Sequence, residues 1–294
     1  MIRTENQLIY HSMASRPNTL AIDIAIAREL GFDGLETSGP KIAAFLDAGF
    51  STSELTARLG GLTLPGIGFL IDLERQGDAR RQMLREAEDL CALASAAGAK
   101  GIEAITGPLD IRVFEADAAE RYPALYRGLI DLPTDSQLDL TAANLRAVAD
   151  IAASHGLLVY LEALSWTPLN TMDAQMQVLE RCDRDNVRLV IDFWHAYTSG
   201  DTPERIARLD KAQIYGVHLC DSLHYAGGIP NEPILRDVPT GKGVLDLQSW
   251  VDAVKATGYT GWWSCELFCR RQHQDDSFAV ARDLKALMER LILR

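Results

Sequence analysis

The strongest constraint on the fold is an alternation that runs through all 294 residues. Short apolar runs at 8–13, 34–37, 64–70, 101–105, 157–163, 188–193, 214–220 and 262–268 read as strands. Amphipathic segments at 19–30, 51–59, 78–97, 136–155, 172–182, 203–209, 247–257 and 277–293 read as helices between them. Several strands are apolar at consecutive positions, as expected for parallel strands covered on both faces. Three helical segments stop at a glycine, Gly31, Gly98 or Gly258, the usual C-terminal signal. Eight strands alternating with eight helices predict an α/β fold, a (β/α)8 TIM barrel occupying residues 1–294 as one domain. A doubly wound sheet is the alternative, but no GxGxxG follows the first strand. Two connections, 106–135 and 221–246, are long enough to act as lids.

Such a barrel carries its chemistry at the C-terminal ends of its strands. Those positions hold Glu36 after the second strand, Glu162 at the end of the fifth, Asp192 at the end of the sixth, His218 in the seventh and Glu266 in the eighth. The last four are 30, 26 and 48 residues apart, one strand–helix repeat each with one enlarged loop. A single acid at a strand end usually caps the next helix. Four polar residues in succession, each flanked by apolar neighbours, need a different reason. Three converging carboxylates repel one another unless a cation neutralises them. Together with an imidazole they make an oxygen-rich set suited to one divalent ion, Mn²⁺ first, with Mg²⁺, Co²⁺ or Zn²⁺ as alternatives. Glu162 and Glu266 are also the candidate acid–base pair.

Other residues fall near this set. His195, three positions past Asp192, is placed in the loop above the sixth strand as a substrate contact. Asp221 stands in the same relation to His218 and either orients that ring or touches substrate. Arg236, in the enlarged loop, suits a developing oxyanion. His11 is a candidate for lining the mouth. Trp166 is either packing or an apolar wall for a sugar ring, and Glu36 either a substrate contact or a structural partner.

A net charge of −12, with no Lys/Arg cluster, argues against a nucleic-acid partner. No apolar run reaches the ~18 residues of a membrane helix, and the start of the chain lacks the apolar stretch of a signal peptide. Five scattered cysteines without a CxxC pair suit reduced thiols in a cytoplasm. The expected partner is a small polyol or sugar, and a homo-oligomer is compatible with the barrel's helices.

The stretches GFDGLE (31–36), VYLEAL (159–164), NVRLVIDFWHAY (186–197), IYGVHLCD (214–221), RDVPTGKGVLD (236–246) and GWWSCELF (261–268) resemble the xylose-isomerase-like barrels, and within them the inosose isomerases. The likeness covers nearly the whole chain in the same order. It implies Glu162, Asp192, His218 and Glu266 as metal ligands, His195 as a substrate contact and Arg236 as the arginine before a Pro-Gly-x-Gly turn. Here that turn reads Pro239-Thr240-Gly241-Lys242-Gly243, one residue longer. An endonuclease IV-like three-metal cluster is not expected, because no histidine lies between His11 and His155. The expected activity is metal-dependent isomerisation or epimerisation of a keto-polyol or ketose through an enediolate. Glu266 is taken as the base and Glu162 as its counterpart. A lyase, either a dehydratase or a β-eliminating deglycosylase of 3-keto sugars, and a non-catalytic sugar-binding barrel are the alternatives.

Overall fold

The computed structural model describes residues 3–294. Its strands are β1 (Gln7–His11), β2 (Gly34–Ser38), β3 (Ile67–Leu70), β4 (Gly101–Ile105), β5 (Leu158–Glu162), β6 (Val187–Asp192), β7 (Ile214–Leu219) and β8 (Trp262–Cys265). All neighbours pair in parallel, and β8 pairs with β1 to close the barrel in chain order.

Apolar residues on the outer face of the strands, such as Leu8, Leu35, Leu161, Ile191 and Val217, pack against the surrounding helices. Those helices contribute Ile24, Met83, Leu145, Val178, Val251 and Leu284. Each such burial favours folding by about 1.5–3 kcal/mol. Inside the barrel a second cluster, Ile9, Tyr160, Val190 and Trp262, forms a floor. Two glycines make room for its aromatic rings. A Cβ at Gly216 would lie 1.9 Å from Trp262 Cζ2, and one at Gly66 2.3 Å from Tyr160 Cε1.

Several element boundaries differ from the sequence expectation. A helix, Gly39–Asp47, follows β2 directly. Its opening Ser38-Gly39-Pro40 reads as a turn, yet proline is tolerated in a first helical turn, where its missing N–H would have no partner. β3 begins at Ile67 rather than at residue 64, since Pro65 has no N–H to donate to a ladder. β8 ends at Cys265, one residue short of Glu266. Asp192 does cap a helix, the short Phe193–Thr198, its Oδ1 accepting from the His195 amide at 2.7 Å. His195 therefore belongs to that helix, not to an open loop. The two long connections carry single turns of their own, Ala118–Arg121 and Glu232–Leu235.

Candidate metal and proton-transfer site

The strand register sets the site. Asp192 pairs with His218 across β6 and β7, and Ile105 with Glu162 across β4 and β5. Glu162, Asp192, His218 and Glu266 each present an oxygen or nitrogen within 4.8 Å of the others'. Glu162, Asp192 and His218 are buried and Glu266 is partly so.

The orientation of His218 tests whether this set suits a cation. Its Nε2 lies 3.2 Å from both carboxylate oxygens of Glu36, so Nε2–H is the donor there. That leaves the Nδ1 lone pair directed at Glu162 Oε1, 3.5 Å away. Both atoms are buried, and neither has a hydrogen-bond partner among the described residues. Two adjacent buried electron-pair donors are unfavourable unless something electropositive, a proton or a cation, joins them. The residues fit a divalent ion. The hydrogen bond from the distal ring nitrogen to a carboxylate is the arrangement that orients a ligating histidine.

Glu36 is thereby a partner of His218. Ser264 Oγ donates to it at 2.8 Å and Tyr160 OH at 3.3 Å, and His11 Nε2 lies 3.7 Å away. Burial works against its charge, but His218 and His11 hold its carboxyl below the usual range. Burial likewise disfavours protonated His218, yet Glu36 and Glu162 push its pKa well above the ordinary histidine value, so without a cation a proton joins Nδ1 to Glu162 in the place that a cation would fill. The surplus of carboxylate charge outweighs desolvation, so the pocket attracts cations.

Arg236 is 2% exposed, unlike a solvated loop arginine. It donates to Glu266 Oε2 at 2.8 Å and to Glu232 Oε1 at 3.0 Å, and its Nη2 stands 3.5 Å from Asp192 Oδ2. Its guanidinium lies 4.0 Å above the Phe268 ring. Although burial raises the pKa of Glu266, Arg236 and then His11 lower it to about 2. His195 is also buried. The Ser165 amide donates to its Nδ1 at 3.1 Å, so its proton sits on Nε2, facing Glu232 Oε1 at 4.0 Å. Burial drops its pKa to about 4, which leaves a neutral donor. Trp166 lies 5.7 Å from that ring, with its indole N–H given to Pro108 O.

Asp221 departs from both roles expected of it. Its carboxylate accepts the backbone N–H groups of Ser222, Gly241, Gly243 and Leu245 at 2.8–3.2 Å. It braces the lengthened turn after Arg236, and all its hydrogen bonds are spent there. A Cβ at Gly243 would sit 2.2 Å from Asp221 Oδ1, so only glycine permits this approach.

The mouth has two lobes that share Met13, Arg16, Phe69, Glu103 and Glu266. One, of about 250 Å³, reaches His11, Glu36 and Lys41. The other, of about 480 Å³, reaches Glu162, Trp166, His195, Glu232 and Phe268. Two acids in these walls escaped the sequence reading. Glu103, on β4, has a buried Oε1 without a partner, and burial and then Glu162 push its pKa well up. It stands two residues before its strand ends, and a lone acid inside the apolar GIEAI was the available signal. Glu232 arrives from the loop after β7, where no periodicity marks it.

No helix among the described residues is long and apolar enough to cross a membrane, and all five cysteines are buried and unpaired.

Comparison with known proteins agrees with this architecture. Over 275 residues, 89% of each chain, the sequence is 26% identical to 3-dehydro-D-guloside 4-epimerase of Escherichia coli K12. It is 29% identical to inosose isomerase of Bacillus subtilis 168 over 126 residues, 42% of this chain and 45% of that protein. The chain thus spans about half the length of the inosose isomerases it matches. The crystal structure of the IolI protein with a bound zinc atom superposes with a TM-score of 0.83 at 18% identity, covering 97% of this chain and 98% of that one. The named relatives are isomerases, epimerases and dehydratases, all enzymes. The model of the xylose isomerase-like TIM barrel matches residues 24–291, and the chain belongs to that family.

Proposed function

We propose that this chain is a divalent-metal-dependent isomerase or epimerase that moves a proton next to the carbonyl of a keto-polyol or ketose of the inosose kind. The observation that carries the reading is the unpartnered pair of buried electron donors, His218 Nδ1 and Glu162 Oε1, 3.5 Å apart beside Asp192 and Glu266. Glu162, Asp192, His218 and Glu266 would hold the ion, manganese by preference for an oxygen-rich set. When bound, such an ion polarises a carbonyl as a Lewis acid and raises the acidity of the adjacent C–H.

The chain's own groups do the rest. Glu266, kept ionised by Arg236, removes the proton from the carbon beside the carbonyl. Glu162, three strands further around the ring, delivers a proton that it has drawn from solvent, and Glu266 gives the abstracted proton back to solvent to close the cycle. His195 donates its Nε2–H to a substrate oxygen, and Trp166 forms an apolar wall for the ring. His11 supports the far side of Glu36 at the smaller lobe. Unpaired, buried cysteines suit a reducing compartment, and we place the protein in the cytoplasm.

The test is proton NMR of the Mn²⁺-loaded protein in D₂O with 2-keto-myo-inositol, ketohexoses and 3-keto glucosides. Deuterium should enter the carbon next to the carbonyl, with the rate falling at least ~100-fold in Glu266→Gln. Absence of exchange with every probe, metal being bound, overturns the reading in favour of a binding barrel. The dehydratases among the relatives favour one second reading, that the same carbanion expels a β-leaving group. Loss of water or of an alcohol in the same spectra identifies it.

A further inference from the structure

Shifting a carbonyl between neighbouring carbons requires two proton movements, and the Glu266–Glu162 pair accounts for one. The C–H proton leaves one carbon and arrives at the next. In addition, the hydroxyl that becomes the new carbonyl must lose its proton, and the old carbonyl oxygen must gain one. Inversion of a single carbon has no such second requirement. The larger lobe contains a group positioned for it. Glu232 reaches in from the turn Glu232–Leu235 and lines the same cavity as Glu162 and Glu266. Its Oε1 lies between Arg236 Nη1 at 3.0 Å and the protonated Nε2 of His195 at 4.0 Å. A gap of 4.0 Å between donor and carboxylate is too long for a hydrogen bond.

We propose that Glu232, beside His195, is a further catalytic residue that carries the hydroxyl proton from one substrate oxygen to its neighbour, making the chain a carbonyl-shifting isomerase. The inference rests on the enolisation reading above. Ionised Glu232 takes the hydroxyl proton. The O–H electron pair stays on that oxygen, which becomes the new carbonyl. The resulting carboxylic acid then gives the same proton to the former carbonyl oxygen, so nothing is consumed. His195 Nε2–H holds the oxygens in line. Burial lifts the Glu232 carboxyl to about 7 against the pull of Arg236, which suits a group that must accept and release a proton near neutral pH. Arg236, which also neutralises Glu266 and Asp192, keeps enough positive charge nearby for Glu232 to ionise.

The experiment follows two signals from the same sample, the Mn²⁺-loaded protein in D₂O with 2-keto-myo-inositol, fructose or a 3-keto glucoside. One signal is deuterium entry beside the carbonyl and the other is the product with its carbonyl moved. Glu232→Gln keeps an acceptor for Arg236 Nη1 but cannot carry a proton. It should exchange deuterium within about threefold of the parent while carbonyl movement falls ~10²–10⁴-fold. Glu232→Asp, which keeps the acid, should retain more carbonyl movement than the glutamine variant. Equal loss of both signals would overturn the proposal and make Glu232 only a brace for Arg236. Unchanged carbonyl movement in Glu232→Gln, or a parent protein that exchanges and inverts without moving a carbonyl, would also overturn it. A parent that exchanges with none of the probes would overturn the underlying enolisation reading, a distinct result.

Discussion

At the scale of single residues, the arrangement turns on which nitrogen of His218 is free. Glu36 takes the proton on Nε2, and Ser264 and Tyr160 hold Glu36 in place. Glu36→Gln replaces an acceptor with an amide that can present its NH₂ to the ring, which disturbs the tautomer. Calorimetric titration with Mn²⁺ or Zn²⁺ should show affinity reduced ~10–100-fold with the barrel still folded. An unchanged affinity would mean that Glu36 does not orient the ligand. The four candidate ligands were legible in the sequence because each is a polar residue at or beside the C-terminal end of an apolar strand. Glu36, which lies inside β2 and not after it, carried a similar mark but not its role, since a pairing of residues 182 apart is a product of barrel closure. Glu232 was illegible for a related reason. Its surroundings are assembled from the loops after β6 and β7, and nothing local distinguishes it from a solvated acid.

At the scale of elements, the strands were readable because doubly covered parallel strands leave long apolar runs, and their centres agree with the predicted ones. The short helices were not. Phe193–Thr198 is too brief to show a helical period, and Gly39–Asp47 starts with residues that signal a turn. Two predictions belong here. Gly216→Ala would press a methyl group into the Trp262 ring beneath the site. Urea unfolding should register a loss of about 1–3 kcal/mol, the usual penalty for overpacking. Asp221→Ala would release four backbone N–H groups of the turn after β7. We expect a loss of about 1–3 kcal/mol and faster tryptic cleavage at Arg236 and Lys242, together with weaker retention of Arg236 against Glu266. Cleavage at the parental rate would contradict the bracing role.

At the scale of the whole molecule, buried acids set the pH dependence of stability. Burial lifts Glu74 to about 7 while the Gly107 amide donates to its Oε2, and burial lifts Asp23 to about 6 despite Lys41. A carboxyl whose pKa is raised on folding binds its proton more tightly in the folded chain. Stability from Glu74 is therefore full below about pH 4.5, its unfolded value, and is lost as pH rises through about 7. The change is on the order of 3 kcal/mol. Glu74→Gln, which keeps the acceptor but cannot ionise, should flatten this slope and make the protein more stable than the parent at pH 8. Denaturant midpoints at pH 5 and pH 8 measure it, and a parental slope in the variant would refute the assignment. The same surplus of buried carboxylates at the mouth favours a cation there, and the net charge of −12 has the same sign.

The central claim, that Glu162, Asp192, His218 and Glu266 form one cation centre, is tested most directly by anomalous diffraction from crystals grown with Mn²⁺. A single strong peak is expected about 2.0–2.3 Å from oxygens of the three acids and from His218 Nδ1, with Glu36 still on Nε2. A peak among His11, Glu36 and His218 instead, or none at full Mn²⁺ saturation, would contradict it.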